Sequence, residues 1–99
     1  MFSKWIGPPS MRLCMRIKGR VQGVGYRFFV SQTARKMSLS GWVRNLPDGG
    51  VEVEAQGEEK ILEKFLIELK GGHPYSRVES IRSEKLPERP GETAFEIEA

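Results

Sequence analysis

A glycine-rich segment in the first third of the chain has the residue types needed to hold a phosphate. It stands between an alternating apolar pattern and a helical one, so a strand should run into a loop and the loop into a helix N-terminus. Free N–H groups at such a terminus bind anions, and glycines allow the backbone to approach a ligand closely. A guanidinium in the first helical turn can add a two-pronged contact. The residues of this predicted phosphate-binding loop are Gln22, Gly23, Val24, Gly25, Tyr26 and Arg27.

The loop taken alone is a weak signal. No Gly-Lys-Ser/Thr follows it, so it is not a Walker A loop. Its spacing also departs from the Gly-x-Gly-x-x-Gly fingerprint of dinucleotide-binding folds. An ordinary strand-to-helix turn explains the glycines about as well as a phosphate site does.

Asn45 is the second residue with chemical potential. It lies where a later strand should end, and its amide offers both a donor and an acceptor that can hold a water molecule. Asparagine is also favoured near turns for purely conformational reasons. For a lone asparagine, the conformational interpretation is the stronger one.

Two periodicities predict the elements that position these residues. Apolar side chains alternate with basic ones from Arg12 to Val21, which is typical of a half-buried strand. From Tyr26 to Met37 the apolar residues follow helical spacing. The residues expected on the solvent side of this helix are Ser31, Gln32, Arg35 and Lys36. Phe29 is expected in the core, whereas Phe28 lies off the apolar stripe and has no assigned role.

The second half of the chain continues the pattern. Strands are expected at 41–46 and 51–56, joined by turn residues 47–50 as a hairpin. A second helix is expected at 58–70, ended by Gly71-Gly72. A strand at 76–86 should contain a bulge, because Val78 and Ile81 are three residues apart. A short strand is expected at 94–98, with Phe95 and Ile97 facing inward.

This order of elements predicts an α+β fold, a ferredoxin-like α/β sandwich. It has the order βαββαβ plus a short C-terminal strand, in an antiparallel sheet with both helices on one face. The first and third strands should be central neighbours. Residues 12–99 are predicted to form a single domain, with residues 1–11 as a disordered leader or a cloning scar.

Composition and charge limit the classes of function that fit this sequence. The 99 residues carry a net charge of +3, with nine basic and no acidic residues in the first 47, which suggests anion binding nearby. Neither a signal peptide nor a membrane span is visible, so a cytoplasmic location is expected. The sequence carries no signal for oligomeric state, and a monomer is the default expectation. The single cysteine, Cys14, is expected to be a structural strand residue, and His73, the only histidine, a surface loop residue. No side-chain cluster has metal-ligand spacing.

Together, the two segments strongly resemble the two signature segments of the acylphosphatase family. The first signature, Gly-x-Val-Gln-Gly-Val followed by an aromatic residue and Arg, is present at 19–27. The second, Gly-aromatic-Val-Arg-Asn with a later Gly-x-Val and Gly, is present at 41–57. Tyr26 stands where the family usually has Phe or Met, which keeps an apolar ring. The resemblance covers nearly all of residues 12–99.

The resemblance implies hydrolysis of an acyl phosphate to carboxylate and inorganic phosphate. It also implies that Arg27 binds the phosphoryl group with the loop N–H groups and that Asn45 orients the attacking water. Neither metal nor cofactor is implied, and phosphate or sulfate should occupy the site as an anion. A small-molecule acyl phosphate is the expected partner.

Two alternatives remain open. A basic ferredoxin-like domain can be a non-catalytic phosphate- or RNA-binding module. However, the open face of the central strands should carry paired charges rather than an aromatic platform, so neither nucleic acid nor membrane is expected as a partner. The other alternative is a non-catalytic or channelling relative of the family, since similar domains also occur as parts of carbamoyl-transfer maturation proteins.

Overall fold

A computed structural model gives the structure of the protein and describes residues 9–99. Five strands and two helices follow the predicted order. They are β1 (Ser10–Arg20), α1 (Tyr26–Lys36), β2 (Ser40–Asn45), β3 (Val51–Glu58), α2 (Glu59–Gly71), β4 (Arg77–Leu86) and β5 (Phe95–Ile97). The ferredoxin-like order predicted from periodicity is confirmed. In the described part of the chain, neither helix is long and apolar enough to cross a membrane.

The strands form one sheet in the order β4-β1-β3-β2-β5. Strands β1 and β3 are central neighbours, as predicted, and the pairs β1–β3, β1–β4 and β2–β3 are antiparallel. Strand β5 instead pairs in parallel with β2, so the sheet is mixed rather than wholly antiparallel. The reason is topological, because the chain crosses from edge strand β4 to the opposite edge before it forms β5.

Both helices pack on one face of the sheet and enclose the core. Helix α1 contacts β2 and β5, while α2 contacts β3 and β4. Apolar residues that alternate along the strands meet the helical stripes there. The fully buried members include Met15, Val30, Val43, Val53 and Phe65. Phe29 packs against this cluster while remaining partly exposed.

The bulge predicted in β4 is present. Lys18 pairs with Ser80 and Gly19 pairs with Val78, so Glu79 is an extra residue in β4. This extra residue accounts for the three-residue spacing between Val78 and Ile81.

Two expectations from the sequence, one concerning β1 and one concerning α1, were wrong. Ser10 and Met11, assigned to the leader, lie in β1; the rest of that assignment falls largely on residues 1–8, outside the described residues. Ser31, assigned to the solvent side of α1, is only 1% exposed. Its position lies beside Val30 on a helix that is covered over a wider arc than the apolar stripe indicates.

His73 is not the simple surface residue that the sequence predicted. Its ring lies 5.1 Å from that of Phe29 and 5.8 Å from that of Tyr26, between centroids. Its Nδ1 atom is buried without a hydrogen-bond partner in the described chain. The imidazole therefore packs between aromatic rings beside α1.

Candidate functional site

The glycine loop and the start of α1 form an uncapped helix N-terminus. Gly25 is the N-cap residue, with φ of 79° and no side-chain cap, and the first turn of α1 contains no acidic residue. The first helical hydrogen bond runs from the Phe29 N–H to the Gly25 carbonyl at 3.1 Å. The N–H groups of Tyr26, Arg27 and Phe28 consequently have no acceptor within the helix, and the helix dipole makes this end attractive to an anion.

Gly23 and Gly25 are required here by backbone conformation. Their φ values of 75° and 79° lie in the left-handed region that other L-residues rarely adopt. A Cβ at either position would meet no atom within 4 Å, so space does not demand glycine. The two glycines therefore determine the backbone path of the loop, and the space above the loop stays open.

The Arg27 side chain is hydrogen-bonded to the segment that follows β5. Its Nη1 donates to the Glu98 carbonyl at 3.0 Å. The Glu98 N–H in turn donates to the Val43 carbonyl at 2.8 Å, which fastens this segment beside β2. Within residues 9–99, Arg27 makes no ion pair with a carboxylate. Its positive charge is therefore oriented but not neutralised.

Asn45 is the last residue of β2, where it pairs with Val51 of β3. Its Oδ1 atom is buried and accepts no hydrogen bond in the described chain. A buried amide oxygen without a donor is costly to leave unsatisfied. This end of the amide is therefore suited to accept a hydrogen bond from a small ligand or a water molecule.

Gln22 connects the two signature segments. Its Nε2 donates to the carbonyls of Leu46 and Gly50, both at 2.7 Å, in the turn between β2 and β3. Both amide hydrogens are used in this way, so the side chain is not available to bind phosphate. The side chain instead ties the glycine loop to the strand end that carries Asn45.

One pocket brings most of the predicted site residues together. Its volume is about 230 Å³, and it is lined by Val21, Gly23, Gly25, Tyr26, Arg27, Phe28, Asn45 and Ile97. Four of the predicted loop residues and Asn45 thus meet in one place, whereas Gln22 and Val24 are not part of the lining. The lining offers one cation, one amide and the helix N-terminus, without a carboxylate, histidine or cysteine among these residues.

A larger cleft of about 680 Å³ lies between α1 and the β5 region. Its only arginine, Arg35, already donates to the Phe95 carbonyl from Nε at 3.2 Å and Nη2 at 2.9 Å. No helix N-terminus opens into this cleft. Its chemistry therefore makes it the weaker candidate despite its size.

The model of the acylphosphatase family matches residues 13–97. The chain belongs to the acylphosphatase family. An acylphosphatase of Clostridium acetobutylicum is 44% identical over 86 residues, covering 87% of this chain and 94% of the relative. The crystal structure of acylphosphatase from Bacillus subtilis matches with a TM-score of 0.85 and 39% identity over 90% of this chain and 99% of that one. Membership and identity at this level support acylphosphatase activity.

A larger protein also contains this fold. The crystal structure of full-length HypF in the phosphate- and nucleotide-bound form matches with a TM-score of 0.82 and 32% identity. The match covers 97% of this chain but only 13% of that one. The same fold thus makes up nearly all of the Bacillus subtilis acylphosphatase and a small part of this much longer chain.

Three lining residues were not predicted as site residues: Val21, Phe28 and Ile97. Phe28 did carry a signal, because it is an apolar residue outside the buried stripe of α1. Ile97 was predicted to face inward, yet it is 43% exposed and lies at the pocket. Its position depends on where β5 joins the sheet, which local sequence does not reveal.

The hydroxyl of Tyr26 is not directed into the pocket. The hydroxyl donates to the Leu69 carbonyl at 2.7 Å, away in α2. Burial raises the pKa of this phenol. Tyr26 therefore remains a neutral anchor between the two helices, in the place where its family usually has Phe or Met.

The open face of the sheet carries a network of arginine–carboxylate pairs. Glu52 accepts from Arg16 Nε at 3.0 Å and from Arg44 Nη2 at 2.6 Å. Burial opposes ionisation of Glu52, but the hydrogen bonds from Arg16 and Arg44 outweigh that effect and lower its pKa. Arg12, fully buried, pairs with Glu54 at 2.8 Å and with Glu92 at 2.7 Å. The sequence had predicted cross-strand pairs here, but not the complete burial of Arg12.

Cys14 lies within this network. Burial raises the pKa of its thiol, and the negative charge of Glu52, whose carboxylate lies 3.8 Å from Sγ, acts in the same direction. A neutral, buried thiol is a poor nucleophile. Its expected structural role is consistent with this environment.

Proposed function

We propose that the protein hydrolyses acyl phosphates by direct attack of water on the phosphoryl group, with Arg27 binding that group and Asn45 orienting the water. The observation that carries the proposal is the meeting of three features in one pocket. These are an uncapped helix N-terminus, an arginine without a carboxylate partner in the described chain, and a buried amide oxygen without a donor.

The phosphate-binding step uses groups that already converge. The free N–H groups at the start of α1 supply neutral donors, and the helix dipole adds to their attraction for an anion. The guanidinium of Arg27 supplies charge-assisted hydrogen bonds in a planar fork that suits phosphate oxygens. Its existing bond to the Glu98 carbonyl fixes the guanidinium before substrate arrives. Such preorganisation lowers the cost of stabilising charge in the transition state.

The attacking water is placed by Asn45. Oδ1 accepts one hydrogen of the water, which turns an oxygen lone pair towards phosphorus. The water oxygen forms a bond to phosphorus while the bond from phosphorus to the acyl oxygen breaks. The carboxylate leaves with the electron pair of that bond, and a phosphate oxygen of the substrate takes the proton from the water.

This route needs little help from a strong base. A carboxylate is a good leaving group, and phosphoryl transfer depends mainly on positioning and on charge stabilisation. The pocket lining has no carboxylate, histidine or cysteine that would serve as a base or as a metal ligand. The proposed reaction is accordingly independent of a metal ion.

The test is hydrolysis of benzoyl phosphate by the purified protein in EDTA, with Arg27→Ala, Asn45→Ala and Gln32→Ala. Removing one preorganised donor costs roughly 100- to 1000-fold in kcat in other enzymes. We expect Asn45→Ala to lower kcat by that amount with little change in KM, and Arg27→Ala to impair both. Gln32→Ala, one turn further along α1, removes an amide of similar chemistry that does not line the pocket and should leave turnover unchanged.

Loss of turnover on adding EDTA to the wild type would refute the metal-independent route. Normal kcat in a folded Asn45→Ala variant would refute the role of Asn45. If the wild type binds inorganic phosphate but hydrolyses no acyl phosphate, the protein is a phosphate-binding module that keeps the loop without the reaction.

A further inference from the structure

Two large apolar side chains stand exposed at the rim of the proposed phosphate site. Phe28 is 62% exposed and Ile97 is 43% exposed, and both line the pocket that contains Arg27 and Asn45. The other large apolar residues that are highly exposed within residues 9–99, Ile67 at 68% and Tyr75 at 76%, do not line it. Single exposed apolar residues are common and need no explanation. A pair that flanks a charged group in one pocket is a different arrangement.

Both side chains are placed by the elements that place Arg27. Phe28 is the next residue in the first turn of α1. Ile97 ends β5 and precedes Glu98, whose carbonyl accepts the hydrogen bond from Arg27. The apolar rim and the guanidinium are therefore held in fixed relation by short connections.

The remaining apolar lining continues this surface inward. Val21 and Tyr26, both 1% exposed, are the other large apolar residues of the lining. The pocket thus has a polar side, formed by Arg27, Asn45 and the helix N-terminus, and an apolar side that reaches solvent at Phe28.

We propose that Phe28 and Ile97 form the acyl-binding part of the site and favour substrates with an apolar, above all aromatic, acyl group. This inference rests on the function proposed above, because it assumes that the phosphoryl group lies at Arg27. In an acyl phosphate the acyl group projects away from the phosphate across one bridging oxygen. With the phosphate held by charge, the acyl group is the part that can cover the rim and remove apolar surface from water.

An aromatic acyl group gains more than a short alkyl group does. It covers more apolar area and can pack against the Phe28 ring in an offset or edge-on arrangement. A methyl group leaves most of Phe28 in water. The preference for an aromatic over a short alkyl acyl group should therefore depend mainly on Phe28 and to a smaller extent on Ile97.

The test compares kcat/KM for benzoyl phosphate and acetyl phosphate in the wild type, Phe28→Ala, Ile97→Ala and Ile67→Ala. The ratio of the two substrates in each variant is divided by the wild-type ratio, which cancels their different intrinsic reactivities. We expect this preference for benzoyl phosphate to fall about 10-fold in Phe28→Ala and about 3-fold in Ile97→Ala, within the range for apolar pocket contacts. Ile67→Ala, an exposed apolar residue on α2, should keep the wild-type ratio.

Calorimetry with benzoylphosphonate and acetylphosphonate tests the same contacts without turnover. Their carbon–phosphorus bond replaces the hydrolysed linkage. Phe28→Ala should weaken benzoylphosphonate binding about 10-fold and leave acetylphosphonate binding unchanged. Equal effects on both ligands, or no effect on either, would overturn the acyl-site proposal. A wild type that binds both phosphonates but hydrolyses neither substrate would refute the proposed function instead.

Discussion

The arginines of the open sheet face and the arginine of the pocket differ in what they meet. Arg12, Arg16 and Arg44 all make ion pairs with glutamates. Arg27 donates to a backbone carbonyl and makes no ion pair within residues 9–99. Both regions lie within one small fold and draw on the same residue type. The two regions differ in whether a carboxylate pairs with the arginine, and not in the arginine side chain itself.

Because of this difference, arginine side chains have different roles in the two regions. On the open face, glutamate carboxylates hold Arg12, Arg16 and Arg44 in ion pairs, so these guanidinium groups are less available to a ligand. In the pocket, the neutral carbonyl of Glu98 fixes the guanidinium without cancelling its charge. An anion entering the pocket therefore meets a positive group that is already in place.

The sharpest test of this difference is a pair of matched substitutions. Arg27→Ala should raise the inhibition constant for inorganic phosphate and lower kcat/KM for benzoyl phosphate by roughly 1000-fold, because it removes the unpaired cation. Arg44→Ala, one residue before Asn45 on β2, should change both values less than about 3-fold. Steady-state kinetics with phosphate as inhibitor measures both quantities.

Arg27→Lys refines the result. A lysine keeps the charge but lacks the planar fork, so it should recover only part of the phosphate affinity. If Arg44→Ala lost as much activity as Arg27→Ala, the separation between paired and unpaired arginines would be wrong.

The next prediction concerns stability rather than activity. Arg12→Met should lower the free energy of unfolding by about 3 kcal/mol, because Glu54 and Glu92 lose their partner in a largely buried place. The value lies at the low end for buried pairs, since both carboxylates keep some contact with water. Urea denaturation measures it, and kcat per folded molecule should not change.

Arg82→Met is the matched control for that substitution. Arg82 lies exposed on β4, outside the arginine–carboxylate pairs of the described chain, and its loss should cost less than about 0.5 kcal/mol. Similar costs for the two substitutions would mean that the buried network does not stabilise the fold.

The sequence predicted the elements well because their signals are local. Alternation in Val51–Glu58 and helical spacing in Glu59–Gly71 depend only on nearby residues and on the two backbone periods. The bulge was also predictable, because one extra residue in an alternating strand produces a three-residue gap between inward side chains. The glycine loop and Asn45 were proposed as site residues because two spaced segments together resemble the signatures of one family, whereas each segment alone is a weak signal.

Long-range pairing accounts for what the sequence could not reveal. Arg12 looks like any outward residue of β1, and only the arrival of Glu54 and Glu92, on later segments, buries and neutralises it. The direction of β5 depends on the chain crossing the sheet, not on three residues of strand. The apolar rim at Phe28 likewise becomes visible only when β5 brings Ile97 beside it.

The smallest expected effect is an acid dependence that belongs to the open face alone. The folded state lowers the pKa of Glu52 below its usual value of 4.5, because its pairing with Arg16 and Arg44 outweighs burial. The unfolded chain therefore binds more protons in the pH range just below that value, and stability falls as the pH decreases through it. Glu52→Gln should flatten this fall by no more than about 1.4 kcal/mol per pH unit, the limit for one proton.

Urea denaturation of the wild type and Glu52→Gln between pH 7 and pH 3 measures that difference. Glu63→Gln, an exposed glutamate on α2, removes one negative charge without touching the network and serves as the control. Phosphate binding at pH 7 should be the same in all three proteins, because Arg27 does not depend on the Glu52 pair. Parallel pH profiles for wild type and Glu52→Gln would show that the pair contributes no acid sensitivity, whereas weaker phosphate binding in Glu52→Gln would show that the open face and the pocket are electrostatically coupled.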